Sequence, residues 1–165
     1  MMSLQTDHAT AAAQNAASAQ TLFSVEESYF TVFAGGEVFG LSVQSAQTIF
    51  RIESVSSVPG APREIVGLVN LRGKIVMAVS LRLRLGMPLE DNFKDALAIG
   101  VEHKSENFAL IIDQVGDVFS LRAATRVPTP PHLDAARMRL MSGLYQVGDM
   151  LVPVLDIGAL FDFSR

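Results

Sequence analysis

The side chains that do most enzyme chemistry are thinly spread in this chain. Its three histidines, His8, His103 and His132, stand in an Ala/Gln-rich leading segment, beside a turn and in a proline-rich loop. None has a second histidine or a carboxylate at ligand spacing on a shared helix or strand face, so no metal site is expected. There is no cysteine, which excludes thiolate chemistry and a disulfide framework and fits a reducing compartment. Asp113 and Asp117 fall four apart in a run that reads as one long strand, roughly 13 Å from each other by strand rise. That is too far to share acid–base work unless a bulge at Gly116 draws them together. Asp156 reads as a helix cap. No Gly-x-Ser-x-Gly elbow occurs, and the glycines of "AGGEVFG" (34–40) join strand to strand. They cannot place a helix N-terminus against a phosphate. No catalytic residue and no cofactor are assigned.

One polar cluster interrupts a greasy run. In "GLVNLRGKIVMAVS" (67–80), Asn70, Arg72 and Lys74 lie inside otherwise apolar sequence, with Gly73 between two of them. A guanidinium at such a bend can stand in water as an ordinary turn charge. It can also grip a partner's carboxylates or carbonyls with its planar fork of donors. Composition alone leaves both readings open.

The elements that must carry this cluster are mostly strands. Residues 1 to about 26 are rich in Ala, Gln, Ser and Thr without an apolar face, and are expected to form a mobile tail. "YFTVFAGGEVFGLSV" reads as a hairpin turning at Gly35-Gly36, and "QSAQTIFRI" (44–52) as a short helix. Strands follow over Ile65–Leu71 and Ile75–Val79 around a turn at Arg72-Gly73-Lys74. Ser80 is placed to cap a short helix through "LRLRLG". Residues 96–121 read as a strand, a polar turn at Lys104–Asn107 and a long strand with a bulge at Gly116. A proline-rich loop then leads to a short helix near Asp134, a hairpin turning at Gly148-Asp149, and a last helix capped by Asp156.

The two halves share a plan. Gly67-Leu68 matches Gly143-Leu144, and Val76, Val79 and Leu81 match Val152, Leu155 and Ile157 without a gap, with Ser80 opposite Asp156. Earlier, Phe39-x-Leu41-x-Val43 matches Phe108-x-Leu110-x-Ile112. Two small β-barrels of similar design are expected, each marginal alone and packed into one unit.

Bulk properties narrow the partners. The formal net charge is −4 and no stretch is densely basic, so nucleic acid is not expected. The leading residues lack a basic n-region and an apolar h-region, which argues against a signal peptide. The longest apolar runs, Ile75–Val79 and Phe108–Ile112, fall far short of the roughly 20 residues of a membrane helix. A soluble cytoplasmic protein is expected.

Four stretches together resemble the CheW family of bacterial chemotaxis coupling proteins. They are "FTVFAGGEVFGLSVQSAQTIF", "SVPGAPREIVGLVNLRGKIVMAVSLRLRLG", "ALIIDQVGDVFSL" and "GLYQVGDMLVPVLDIGALF", and they span about residues 28–162. The G-[VL]-[VI]-N-L-R-G signature at Gly67–Gly73 is the most specific piece. The resemblance implies a mainly β fold of two packed five-stranded SH3-like barrels with short helices. The first would cover about 27–90 and the second about 91–165, with exchange of terminal elements allowed between them. It implies a non-enzymatic adaptor that couples methyl-accepting chemoreceptors to the histidine kinase CheA. Such an adaptor is cytoplasmic and is recruited to membrane-associated receptor arrays without entering the bilayer.

By the same resemblance, Arg72 is the receptor-facing arginine, braced by Asn70 beside Gly73. Gly67 keeps the strand start slim for a partner backbone. Ala46, Thr48 and Ala96 fall near the receptor groove, and Ile49 and Phe50 on the short helix contribute to a partner surface. The chain departs from the family at Thr48-Ile49-Phe50, where an acid commonly precedes the isoleucine and a base follows it. Ser80 replaces the usual aspartate, keeping the cap. These departures point to a less standard array, such as one serving surface motility or pili. The alternative function is a cytoplasmic double-barrel sensor of a small molecule, held in the cleft between barrels.

Overall fold

The computed structural model of the chain describes residues 28–88 and 92–164, so the expected tail lies outside the described residues. In chain order the elements are β1 (Ser28–Ala34), β2 (Glu37–Ser42), β3 (Ala46–Arg51), β4 (Ile65–Leu71), β5 (Lys74–Ser80) and α1 (Leu81–Arg84). The second half adds β6 (Leu97–His103), β7 (Glu106–Ile112), β8 (Gln114–Ser120), β9 (Thr125–Val127), α2 (Ala135–Met138), β10 (Met141–Val147), β11 (Met150–Leu155) and α3 (Ile157–Leu160). The fold is mainly β, as expected. One sheet has the order β8-β1-β2-β11-β10-β9 and the other β3-β6-β7-β5-β4.

The turns follow local chemistry. Gly35-Gly36 takes positive φ at both positions between β1 and β2, as a two-residue hairpin requires. Ser80, Asp134 and Asp156 each cap their helix, accepting the N–H of Leu83, Ala136 and Ala159 respectively. The bulge expected at Gly116 is present: the register of β1 against β8 shifts between the Phe30–Val118 and Val32–Val115 pairs.

Two expectations fail. Residues 44–52 do not form a helix; 46–51 are the edge strand β3, paired antiparallel with β6 through Ile49–Ile99 and Phe50–Ala98. The β-branched and aromatic side chains there gain more from pairing across the sheet than from a short isolated helix. The long strand over 108–121 is two strands in different sheets, broken at Asp113. Asp113 is therefore a bend residue. Its carboxylate takes Arg82 at 2.6 Å and the Gly35 N–H at 2.7 Å, so it makes no pair with Asp117.

The halves interlace. β2 of the first half lies parallel to β11 of the second through Gly40–Val154, and β7 lies parallel to β5 through Ala78–Ala109. Under the repeat, Gly40 corresponds to Ala109 and Val154 to Ala78, so the two junctions are equivalent with the halves exchanged. The main core lies between the sheets, where Val32, Leu41, Val79, Ile99, Leu110 and Leu160 are buried. A smaller cluster, with Ile52, Val69, Leu71, Val76, Ala98 and Ile111, fills the outer face of the five-stranded sheet. That sheet is thus apolar on both faces, which is why its central strands read as continuous greasy runs.

Side chains also clasp the halves. Arg137 forks onto Glu37 at 2.9 and 2.8 Å and donates to the Leu85 carbonyl, tying α2 to the β2 start and the end of α1. The paired guanidinium holds the Glu37 carboxyl below its ordinary range. Arg84 donates to the Ala159 carbonyl at the end of α3 and lies over the Phe163 ring.

Candidate functional site

The polar cluster sits on a tight two-residue turn. Leu71 pairs with Lys74, and Arg72 and Gly73 between them both have positive φ, +51° and +83°. For glycine this conformation is free; for arginine it is uncommon and costs energy. Asn70 closes the bend, its Oδ1 accepting the Gly73 N–H at 2.7 Å. Arg72 thus holds a left-handed conformation with its side chain exposed, as Lys104 and Ser105 do in the β6–β7 turn.

Its position depends on the curl of the five-stranded sheet. β3 and β4 are opposite edges of that sheet, yet Arg72 Nη2 donates to Thr48 Oγ1 on β3 at 3.0 Å. Gly100 on β6 lets the curl tighten: a Cβ there would lie 3.0 Å from Leu71 and 3.1 Å from Thr48. Between the approaching edges lies an open groove of about 340 Å³. Leu71 and Val76 form its apolar part, Arg72 and Lys74 one wall, and Gln47, Thr48, Glu102 and Asn107 the rest. Gln47 donates to Glu102 at 2.7 Å across the β3–β6 pair. Arg72 thus meets a neutral hydroxyl on β3, and its charge can attract a carboxylate from outside. Among the described residues no group of three His, Asp or Glu is placed to hold a metal ion.

A CheW-like domain model matches residues 28–165. The chain belongs to the CheW-like domain family. Chemotaxis protein CheW of Klebsiella aerogenes is 26% identical over 132 residues, covering 79% of this chain and 80% of its own. Chemotaxis protein CheW of Helicobacter pylori is 26% identical over 123 residues, covering 74% of each. Among solved structures, the scaffolding protein TtCheW of Thermoanaerobacter tengcongensis shares this fold, with a TM-score of 0.70 at 24% identity. That match covers 83% of this chain and 93% of TtCheW.

Within this CheW-like fold the residues expected at the site divide. Arg72 and Thr48 line the groove, and Asn70 and Gly73 shape the turn that carries Arg72. Gly67 lies further along β4, where it is buried: the Ser56 carbonyl stands where its Cβ would be. Ser56 bridges Leu68 on both sides, at 2.9 and 2.7 Å, so the backbone approaching Gly67 is the chain's own loop. Ala46 packs partly buried against the main core, opposite Val101. Ala96 lies beyond the far end of β6, in a separate depression with Arg51, Phe93 and Asp95. Ile49 and Phe50 stand on strand β3. Their alternation sends Phe50 toward the smaller cluster and leaves Ile49 half exposed.

Gln47, Glu102 and Asn107 also line the groove, and no local motif marks them for it. The Lys104–Asn107 turn marked the place. Which of its side chains faces the groove follows only from the β6–β7 pairing.

Proposed function

We propose that this chain is an adaptor without chemistry of its own, joining the cytoplasmic tip of a methyl-accepting receptor to a CheA-type histidine kinase. It would work in the cytoplasm at receptor arrays. The relatives named as chemotaxis and scaffolding proteins support the class of function, and the Arg72 groove supports receptor docking at this place. The observation that carries the reading is Arg72. It holds a costly left-handed backbone, is braced by Asn70, meets an uncharged partner in Thr48, and extends over a partly apolar groove. A helical receptor tip with acidic side chains fits that combination. The guanidinium supplies a bidentate grip, and Leu71 and Val76 supply apolar contact.

Co-sedimentation with receptor tip and kinase tests it. Arg72→Glu should keep the melting point and circular dichroism of the wild type and lose recruitment. Normal recruitment of the variant, or failure of the wild type to join either partner, overturns the proposal.

A further inference from the structure

The two sheets pair in matching registers. Tyr29 on β1 stands between Ser42 and Phe119, as Ala98 on β6 stands between Ile111 and Phe50. Tyr145 faces Val152 as Val69 faces Val76. The outer faces that these residues share are covered unequally. On the five-stranded sheet Ile52, Val69, Ala98 and Ile111 are buried. On the six-stranded sheet Tyr29, Phe119 and Tyr145 are only half-buried. The Tyr29 and Phe119 rings stack at 5.9 Å, and Tyr145 is near enough to add to the upward push that burial gives the Tyr29 pKa. Adjoining aromatic rings gain in proportion to the area taken from water, so a half-wet cluster of three is a docking surface.

The five-stranded face is covered by the segment leading into β6. Phe93 and Ala96 pack against its cluster, and Ile52 exchanges backbone hydrogen bonds with Ala96 and Asp95 at 2.9 and 2.8 Å. β1 is the counterpart of β6, so the residues ahead of Ser28 enter the six-stranded sheet at the matching place. From Gln5 to Thr21 no side chain is both apolar and larger than alanine, and then Leu22, Phe23 and Val25 follow. Phe23 is five residues ahead of Ser28, within about 16 Å of chain, which is reach enough to return over Tyr29.

We propose that residues 22–25 fold back over Tyr29, Phe119 and Tyr145 and close the outer face of the six-stranded sheet, as Phe93 helps to close that of the five-stranded one. A segment tethered beside the face loses little freedom on docking, which favours it over a second copy or a foreign peptide. The inference goes beyond receptor docking and takes nothing from it.

The chain holds two tyrosines, both on this face, and no tryptophan, so its tyrosine fluorescence reads the face directly. In the full chain, Phe23→Ser combined with Val25→Ser should raise acrylamide quenching about twofold and lower the melting temperature by about 3–6 °C. Far-ultraviolet circular dichroism should not change. In the unaltered protein the Phe23 ring should give nuclear Overhauser contacts to the ring of Phe119 or Tyr145, which decides the matter even if the variant misfolds. Equal quenching of the two folded chains overturns the proposal, and so does the absence of those contacts. Quenching that rises on dilution of the wild type, and is unmoved by the substitutions, assigns the face to a second copy and overturns it as well. No receptor enters these measurements, so their result is separate from that of the docking experiment.

Discussion

The molecule contains the same corner twice, built for different ends. Extending the ungapped repeat places Arg72 opposite Gly148, Gly73 opposite Asp149 and Lys74 opposite Met150. Arg72 and Gly148 hold nearly the same backbone, with φ of +51° and +57°. Each turn is braced by an amide two residues before: Asn70 accepts from Gly73, and Gln146 donates to the Gly148 carbonyl at 2.7 Å. One residue after Lys74 and Met150, Ile75 and Leu151 are both exposed, at 65% and 52%. The difference lies in charge and strain. The second corner takes the residue for which left-handed φ is free, and Asp149 gives it negative charge. The first tolerates the strain and gains two cations. One copy of the duplicated scaffold takes the relaxed solution and the other does not, so Arg72 is the place at which the proposed docking is tested.

The largest effect expected from testing this pairing concerns the paired glycines Gly67 and Gly143. Gly67 has φ of +152° and no room for a Cβ beside the Ser56 carbonyl, while the nearest atom to a Cβ on Gly143 is a Tyr145 ring carbon at 3.1 Å. Gly67→Ala should cost about 3 kcal/mol or more, and Gly143→Ala about 1 kcal/mol or less. Urea melts of the two variants measure the gap, and equal midpoints would remove the asymmetry.

Next come the corners themselves. Arg72→Glu should weaken receptor-tip binding roughly 30-fold or more, since repulsion between carboxylates replaces the grip. Arg72→Gly converts the first corner into the second. It should leave stability within about 1 kcal/mol, because relief of strain offsets the added freedom of the unfolded chain, and still lose binding. The converse, Gly148→Arg combined with Arg72→Gly, should restore none of it. The second corner carries Asp149 beside position 148, and its sheet ends in β9 rather than at the corner's own hairpin, so the new arginine would lack the first corner's groove. Titration of both chains with the same receptor fragment decides the point.

The smallest effect belongs to the clasp. Glu37 has its pKa lowered chiefly by the hydrogen bond from Arg137. A lowered carboxylate contributes stability above its unfolded pKa, and that contribution fades as pH falls through the folded value. The pair is half exposed on the Glu37 side, so about 0.5–1 kcal/mol is at stake. Between neutral pH and acid below 4.5, the wild type should lose its advantage over Glu37→Gln in melting temperature.

Much of this was legible in the primary structure, for identifiable reasons. The turn at Gly35-Gly36, the caps Ser80 and Asp156 and the helix start near Asp134 rest on interactions within a few residues, and all stand in the fold; the bulge expected at Gly116 stands too, made by the pairing of β8 with β1. Gln44–Ile52 is short and ambiguous between helix and strand, and only the pairing of β3 with β6 decides its state. Asp113 looks like a strand residue in sequence, since nothing local shows the chain leaving one sheet for the other there. Of the groove, Arg72 and Asn70 were legible from their places inside an apolar run. Glu102 and Asn107 were not, since they reach it from strands that lie far from Arg72 in sequence.

The residues by themselves determined the hairpins, the helix caps, the repeated plan and a cationic bend with an asparagine to brace it. The hairpins, the caps and the bend depend on φ preferences or hydrogen bonds that close within one turn of chain, and the repeat on matching residue types alone. Tertiary structure alone decided that the halves exchange strands, that Ser56 fills the space beside Gly67, and that Arg72 meets Thr48 across a curled sheet. Those partnerships arise from burying both faces of one sheet at once, a condition that no local stretch of sequence can satisfy or reveal.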